Sequence, residues 1–171
     1  MAKSFPVNTT RFDPYKNYRF VVYFENTTTP VAGVSKVSAF RRSSDVIEYR
    51  EGGNPVIQKG IGRTKYEPIT LERGVTHDPA FEEWANAAQV LDKGAPKSTL
   101  KDLRRTIWID LQNEEGQIVQ RYIAYRCWVS EYQAWPDLDA GGNAVALQHI
   151  RVENEGWERD RSVGEPAETT Q

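Results

Sequence analysis

The sequence predicts a mostly β protein, with about six or seven antiparallel strands and a single α-helix packed on them. Two observations lead to this fold class. Short segments rich in β-branched and aromatic residues alternate between apolar and polar side chains along most of the chain. Only one segment repeats apolar residues at helical spacing. The 171 residues fit one domain, and no internal repeat divides them.

The predicted strands follow from their alternation and from the turn residues between them. Residues 18–24 are the strongest case, because aromatic and β-branched side chains fill both faces. Residues 31–40 form a second, weaker strand that contains Gly33. The remaining strands of the predicted sheet are residues 69–73, 106–112, 118–132 and 144–154.

The predicted helix covers about residues 79–91. Asp78 is a suitable N-cap, and Pro79 suits the first helical position. The acidic side chains of Glu82 and Glu83 favour the positive end of the helix dipole. We expect the helix to pack on the sheet through one apolar stripe, formed by Phe81, Trp84, Ala85 and Ala88.

Residues 41–66 form a long, charged and glycine-rich segment between two predicted strands. A connection of this length in a compact domain is usually functional or disordered. Its two short apolar pieces, residues 46–47 and 56–57, flank a Glu-Gly-Gly-Asn-Pro turn, which predicts an extended, hairpin-like arm. The predicted parts of the chain are an N-terminal arm, a β domain that includes this extended arm, and a polar tail, at residues 1–16, 17–157 and 158–171.

The composition gives no sign of an electrostatic attraction to nucleic acid or to a membrane surface. The 22 Lys and Arg residues are balanced by 24 Asp and Glu residues, for a net charge of -2. Cys127 is the only cysteine, so no disulfide forms within the chain. No segment has the length of a membrane span, and the first residues lack the apolar stretch of a secretory signal. We expect folding in the cytosol and no membrane insertion by the chain itself.

Several chemical motifs begin in this sequence, and each is incomplete. The glycines and cations of residues 60–65 match neither a P-loop nor a dinucleotide-binding turn. Residues 137–148 open like a calcium loop, but Gln148 stands where a bidentate Glu is required. His77 and His149 lack the further ligands of a zinc site. We therefore expect no catalytic residue, no cofactor and no metal, and we predict that the protein is not an enzyme.

Residues 122–129 carry apolar side chains on both faces of their predicted strand. Strict alternation puts Ala124 and Trp128 on one face, with Cys127 and Val129 on the other. A strand of this kind is either central in its domain or covered by a partner. Self-association is a hypothesis that follows from this pattern.

Four stretches of the chain resemble the inner-tube proteins of contractile phage tails, R-type tailocins and extracellular contractile injection systems. The first strand is followed by residues 31–37, Val-Ala-Gly-Val-Ser-Lys-Val, which are similar to the family's early GVS or SGL segment. Residues 44–54 carry the most specific likeness, because Ser-Asp-Val-Ile-Glu-Tyr-Arg-Glu-Gly-Gly-Asn closely matches the family's IEYREGG signature. Residues 69–74, Ile-Thr-Leu-Glu-Arg-Gly, precede the helix, and a C-terminal strand completes the order.

The resemblance implies a β-barrel-like double antiparallel sheet with one flanking helix, and a structural role. Family members form hexameric rings that stack into a hollow tube. A sheath surrounds such a tube, baseplate hub and terminator proteins lie at its ends, and DNA or an effector protein is the cargo in its lumen. The expected final location is therefore a virion, or a released or envelope-attached contractile particle.

The resemblance also implies that the extended arm contacts neighbouring protomers and the adjacent ring. Its charges of both signs suit such a contact, and its glycines allow a close approach of backbones. The candidate contact residues are Arg41, Arg42, Asp45, Ile47, Glu48, Tyr49, Arg50, Glu51, Gly52, Gly53, Lys59, Arg63 and Lys65.

Two alternatives to the main tube protomer stay open at this stage. One is a tube-initiating or tube-terminating paralogue of the same family, which occurs in few copies. The other is a small β-sandwich module that binds carbohydrate through exposed tryptophans.

Overall fold

The computed structural model describes residues 13–25, 28–31, 33–53, 55–92 and 103–167, without the side chains of residues 89–92. Most of the predicted N-terminal arm and the last residues of the predicted tail lie outside these ranges. The described part of the chain contains helix α1 (Ala80–Asp92) and nine strands: β1 (Phe20–Phe24), β2 (Val34–Val37), β3 (Arg42–Tyr49), β4 (Gln58–Tyr66), β5 (Ile69–Gly74), β6 (Arg105–Gln112), β7 (Ile118–Gln133), β8 (Leu147–Glu153) and β9 (Gly156–Arg159).

Seven of these strands form one antiparallel sheet in the order β1-β6-β7-β8-β5-β2, with β9 also paired to β7. The long strand β7 belongs to both halves of the sheet: its first part pairs with β6 and β9, and its last part pairs with β8. The predicted mostly β, antiparallel fold with a flanking helix is confirmed. The order of strands ends at β1 and β2, so the sheet of this single chain does not close on itself.

The main core lies between the two halves of the sheet and helix α1. Phe81 and Trp84 of the helix are fully buried, and Phe24 of β1 stacks on Phe81 and meets Trp84 edge-on. The indole N–H of Trp84 donates to the carbonyl of Leu103 at 2.9 Å, so this buried donor is satisfied. The predicted apolar stripe is therefore the face that the helix buries.

The N-terminus of helix α1 is capped as the sequence predicts. The backbone N–H of Ala80 donates to the Asp78 carboxylate at 3.0 Å. The fully buried Arg73, at the end of β5, donates to the same carboxylate at 3.0 Å and to the Asp78 carbonyl at 2.6 Å. Its guanidinium lies 4.0 Å from the centre of the Phe81 ring. These contacts fix the start of the helix against the end of β5.

Strand boundaries differ from the predicted ones where turns interrupt the pattern. The N–H of Val31 donates to the carbonyl of Val22, and Gly33 has a φ of 71°, so the chain turns before β2 and leaves this strand only four residues long. At the other end of the chain, β9 pairs with β7 as far as Arg159, two residues into the predicted polar tail.

The alternation predicted for residues 122–129 is wrong, because β7 contains a bulge. Arg105 pairs with Cys127 and Ile107 pairs with Ala124, so β7 has one more residue than β6 over this interval. Arg126 takes up the extra residue with a φ of 53°. Ala124 and Cys127 are consequently both buried in the core instead of lying on opposite faces.

Replacing Arg126 tests the importance of this bulge. We expect Arg126→Val to lower the free energy of unfolding by about 1–2 kcal/mol, because a β-branched residue is strained at positive φ. Arg126→Asn is the matched control, since it also removes the ion pair with Glu155 but tolerates the left-handed conformation. Urea unfolding followed by fluorescence measures both variants. An equal loss in the two variants would contradict the role of the backbone conformation.

Candidate inter-subunit interface

The predicted arm is observed as a β-hairpin that stands apart from the main sheet. Strands β3 and β4 pair only with each other, in a two-stranded antiparallel sheet. All eight residues of β3 are exposed, and so are most residues of β4. An isolated two-stranded hairpin is marginally stable at best in water, so this arm gains little stability from its own pairing.

A bulge at Asp45 interrupts the arm, and Gly62 makes this bulge sterically possible. The register shifts between Ser44 and Val46, and a side chain at position 62 would place its Cβ only 2.8 Å from the Asp45 carbonyl oxygen. Gly53 has a φ of 90° in the turn of the hairpin. By contrast, a Cβ at Gly52 would meet nothing within 4 Å, and one at Gly60 would make only ordinary contacts.

The arm exposes apolar side chains on both of its faces. Val46 pairs with Ile61 on one face, and the two side chains are 61% and 86% exposed. Ile47 and Tyr49 lie on the opposite face, where Tyr49 is 59% exposed. Adjacent exposed apolar residues of this size are a mark of an interaction surface.

The charges of the arm partly pair with one another. The Nζ atom of Lys59 lies 3.8 Å from a carboxylate oxygen of Glu48, and the Nζ atom of Lys65 lies 3.9 Å from a carboxylate oxygen of Asp45. Both pairs are solvent-exposed, so each stabilises the hairpin only weakly and remains available to a partner. Residues 41–66 contain six basic and three acidic side chains, which gives the arm a positive net charge.

The base of the arm is anchored by aromatic side chains that sequence reasoning missed. Trp157 of β9 lies within 6.0 Å, between ring centres, of Phe40, Tyr66 and Tyr122. The guanidinium of Arg42 lies 5.9 Å from the centre of the Trp157 ring, and the Arg41 carbonyl accepts a hydrogen bond from Glu67. Arg41 and Arg42 therefore lie at the base of the arm, whereas the other predicted contact residues lie along it or in its turn.

An open apolar groove of about 870 Å³ begins beside this anchor. It separates β2 from the face of β6 and β7, and its lining includes Phe20, Val37, Phe40, Ile109, Tyr122 and Trp157. Ile109 and Leu111 share a face of β6 with the core residue Ile107 but are only half-buried, because they line this groove. The strand pattern of residues 106–112 does not distinguish them from Ile107, so it contained no signal for the groove.

A second exposed apolar surface lies in the loop between β7 and β8. The sequence pattern of this loop predicted only a turn that resembles an incomplete calcium loop. Trp135, Leu138 and Val145 are 65%, 70% and 78% exposed. Asp139 accepts a hydrogen bond from the N–H of Gly141 at 2.9 Å, so its carboxylate shapes a turn. We refer to residues 134–147 as the β7–β8 loop.

A buried ion pair joins β6 to β7. Arg121 donates to the two carboxylate oxygens of the fully buried Asp110 at 2.6 and 2.7 Å, and its guanidinium lies 4.8 Å from the centre of the Trp108 ring. The hydrogen bond to Asp110 raises the pKa of the Arg121 guanidinium. This geometry holds two neighbouring strands together, and the pairing satisfies both charges.

The described residues do not gather metal-ligating side chains at one place. No group of three or more His, Cys, Asp and Glu side chains among them is arranged to hold a metal ion. His149 pairs with Glu131 at 3.6 Å on a strand face. The described helix is not long and apolar enough to cross a membrane. Burial raises the pKa of the Cys127 thiol to about 12.

The buried thiol gives a direct test of the core. We expect Cys127 in the native protein to react with a thiol reagent at pH 8 far more slowly than in 6 M urea, because the thiolate is the reactive form and burial disfavours it. With an aromatic disulfide as the reagent, the absorbance of the coloured thiolate that it releases measures both rates. Equal rates in the two conditions would contradict the described packing of β7.

The family model described as "T4-like virus tail tube protein gp19" matches residues 16–158. The chain therefore belongs to this tail-tube family. No curated protein matches it.

Solved structures of contractile systems share the fold. A chain of the anti-feeding prophage baseplate is 24% identical, with a TM-score of 0.69 over 86% of this chain and 95% of that one. A chain of the extended sheath–tube complex of the extracellular contractile injection system PVC is also 24% identical, with a TM-score of 0.70 over 86% and 91%. A chain of the tube-terminating cap of the anti-feeding prophage is 25% identical, with a TM-score of 0.71 over 86% and 91%.

The exposed face of the arm gives a separate prediction. We expect Ile61→Asp to change the free energy of unfolding by no more than about 0.5 kcal/mol, because this side chain is exposed in the single chain. The same variant should reduce self-association, since it puts a charge on an apolar contact surface. Arg161→Asp is the control, because it introduces the same side chain at an exposed position outside the arm. Unfolding curves and sedimentation velocity measure the two effects. Unchanged sedimentation of Ile61→Asp relative to the control would contradict a contact through this face.

Proposed function

We propose that this chain is the structural protomer of a hollow inner tube, which its copies build as stacked hexameric rings in a contractile tail or injection system. The observation that carries the proposal is the exposed apolar hairpin of a tail-tube family member. A monomer gains nothing from a projecting hairpin with apolar side chains on both faces. A second copy that covers it removes that surface from water.

The open sheet supports the same proposal. In the single chain the strand order ends at β1 and β2, and strand edges with unpaired backbone groups are sites for pairing with another chain. A ring of protomers closes such edges, as a barrel does within one chain. The arm then supplies contacts beyond the edges, through Ile47, Tyr49 and the charged residues beside them.

The partners follow from the systems whose chains share this fold. Those structures are a sheath–tube complex, a baseplate and a tube-terminating cap. We propose that a sheath protein surrounds the tube, that baseplate hub and terminator proteins lie at its ends, and that DNA or an effector protein occupies its lumen. The tube assembles in the bacterial cytoplasm and becomes part of a virion or a contractile particle. The protein works by assembly and not by catalysis.

A terminator or initiator paralogue is the second candidate, because the tube-terminating cap of the anti-feeding prophage shares the fold as closely as the sheath–tube chain does. The two roles differ in the number of copies that stack. A tube protomer adds rings repeatedly, whereas a terminator forms one ring and stops.

Negative-stain microscopy of the purified protein tests the proposal. We expect rings, and tubes of variable length at high protein concentration. Single rings at every concentration would favour the terminator role. Uniform small particles that bind carbohydrate would contradict both roles and favour a sugar-binding module.

Charge reversal in the arm tests the contribution of its ionic groups. We expect Glu48→Lys combined with Arg50→Glu to impair polymerisation and to leave the monomer folded, because both side chains are exposed. Circular dichroism reports the fold, and pelleting of tubes reports polymerisation. A loss of the circular dichroism signal would instead show that the arm stabilises the subunit itself.

A further inference from the structure

The base of the arm and the β7–β8 loop lie at opposite ends of the same pair of strands. The arm leads into β5, whose first residue, Ile69, pairs with Val152 near the end of β8. The last residue of β5, Gly74, pairs with Leu147, where the β7–β8 loop enters β8. The six residues of β5 therefore separate the two features by roughly 17 Å along the strand direction.

The β7–β8 loop presents a shaped apolar surface and not a disordered connection. It curls around a concave space of about 570 Å³, lined by Pro136, Leu138, Ala144 and Val145 among others. Its end is tied to the sheet, because the N–H of Val75 donates to the carbonyl of Ala146 at 3.0 Å. The loop thus offers a concave surface with apolar lining to an apolar side chain of a partner.

The charges of this end are opposite to those of the arm. The β7–β8 loop contains Asp137 and Asp139 and no basic residue. The exposed Glu82 of helix α1 lies beside Trp135, where both line a second cavity with His77. The arm has twice as many basic as acidic residues. Complementary charge around two apolar patches favours their association and sets its orientation.

We infer that the arm of one copy docks on the β7–β8 loop of a second copy of this chain. The inference rests on the proposed tube function and names the partner surface of the arm. A contact between two different surfaces at opposite ends of a molecule is heterologous, so each copy is left with one free end and the contact repeats. In a stack of rings, this head-to-tail contact joins one ring to the next.

Cross-linking between two variants, each with one introduced cysteine beside the native Cys127, tests the docking. Ile61→Cys and Leu138→Cys are mixed, assembled and treated with a short bismaleimide. We expect covalent dimers in the mixture and not in either variant alone. The chain that carries both substitutions should give a ladder of larger products. Wild-type protein is the reagent control, since Cys127 is buried. Ile61→Cys mixed with Arg161→Cys is the control for random collision.

Tube formation by the Leu138→Asp variant is the second measurement. Leu138 is exposed in the single chain, so a charge at this position leaves the monomer folded. We expect this variant to form rings. The amount of protein that pellets as tubes should fall at least tenfold relative to wild-type protein. If wild-type protein forms tubes, but the mixed cysteines do not cross-link above the control and Leu138→Asp tubes are normal, the docking is wrong and the tube function stands. If wild-type protein forms neither rings nor tubes and the mixture yields no dimers, the tube function and the docking are both wrong.

Discussion

The bulge of β7 at Arg126 is the constraint on which the rest of the structure depends. This one strand pairs with β6 and β9 in its first part and with β8 in its last part. The extra residue lets Ala124 and Cys127 both face the core, so the two halves of the sheet and helix α1 enclose a single apolar interior. The bulge also lies directly before the point where the chain passes from one half to the other.

The edge strands β1 and β2 and the arm lie outside the centre of the sheet. The strand order ends at β1 and β2, and the arm leaves the chain between β2 and β5 without joining the sheet. The aromatic contacts of Trp157 with Phe40, Tyr66 and Tyr122 hold the base of the arm, while its length stays exposed. A single copy therefore buries its core and leaves the arm, the candidate contact surface of this tail-tube family member, exposed.

The sequence predicted the arm as the candidate site, but it did not predict the β7–β8 loop as the surface that we propose for its partner. Residues 41–66 stood out because a long charged segment with two apolar pieces has no place inside a compact core. The β7–β8 loop contains Trp135, Leu138 and Val145, but isolated apolar residues in a turn are common, and nothing local tells whether they are covered. Their exposure depends on distant strands, and so does their position at the end opposite the arm.

The sequence by itself determined the local elements. Asp78 caps helix α1, and the stripe of Phe81 and Trp84 faces the core, because capping and periodicity act over a few residues. Only the tertiary structure decided the register of β7, the burial of the Asp110–Arg121 pair and the open order of the sheet. A bulge or an ion pair between strands depends on which residue lies opposite, and that pairing exists only after the chain has folded.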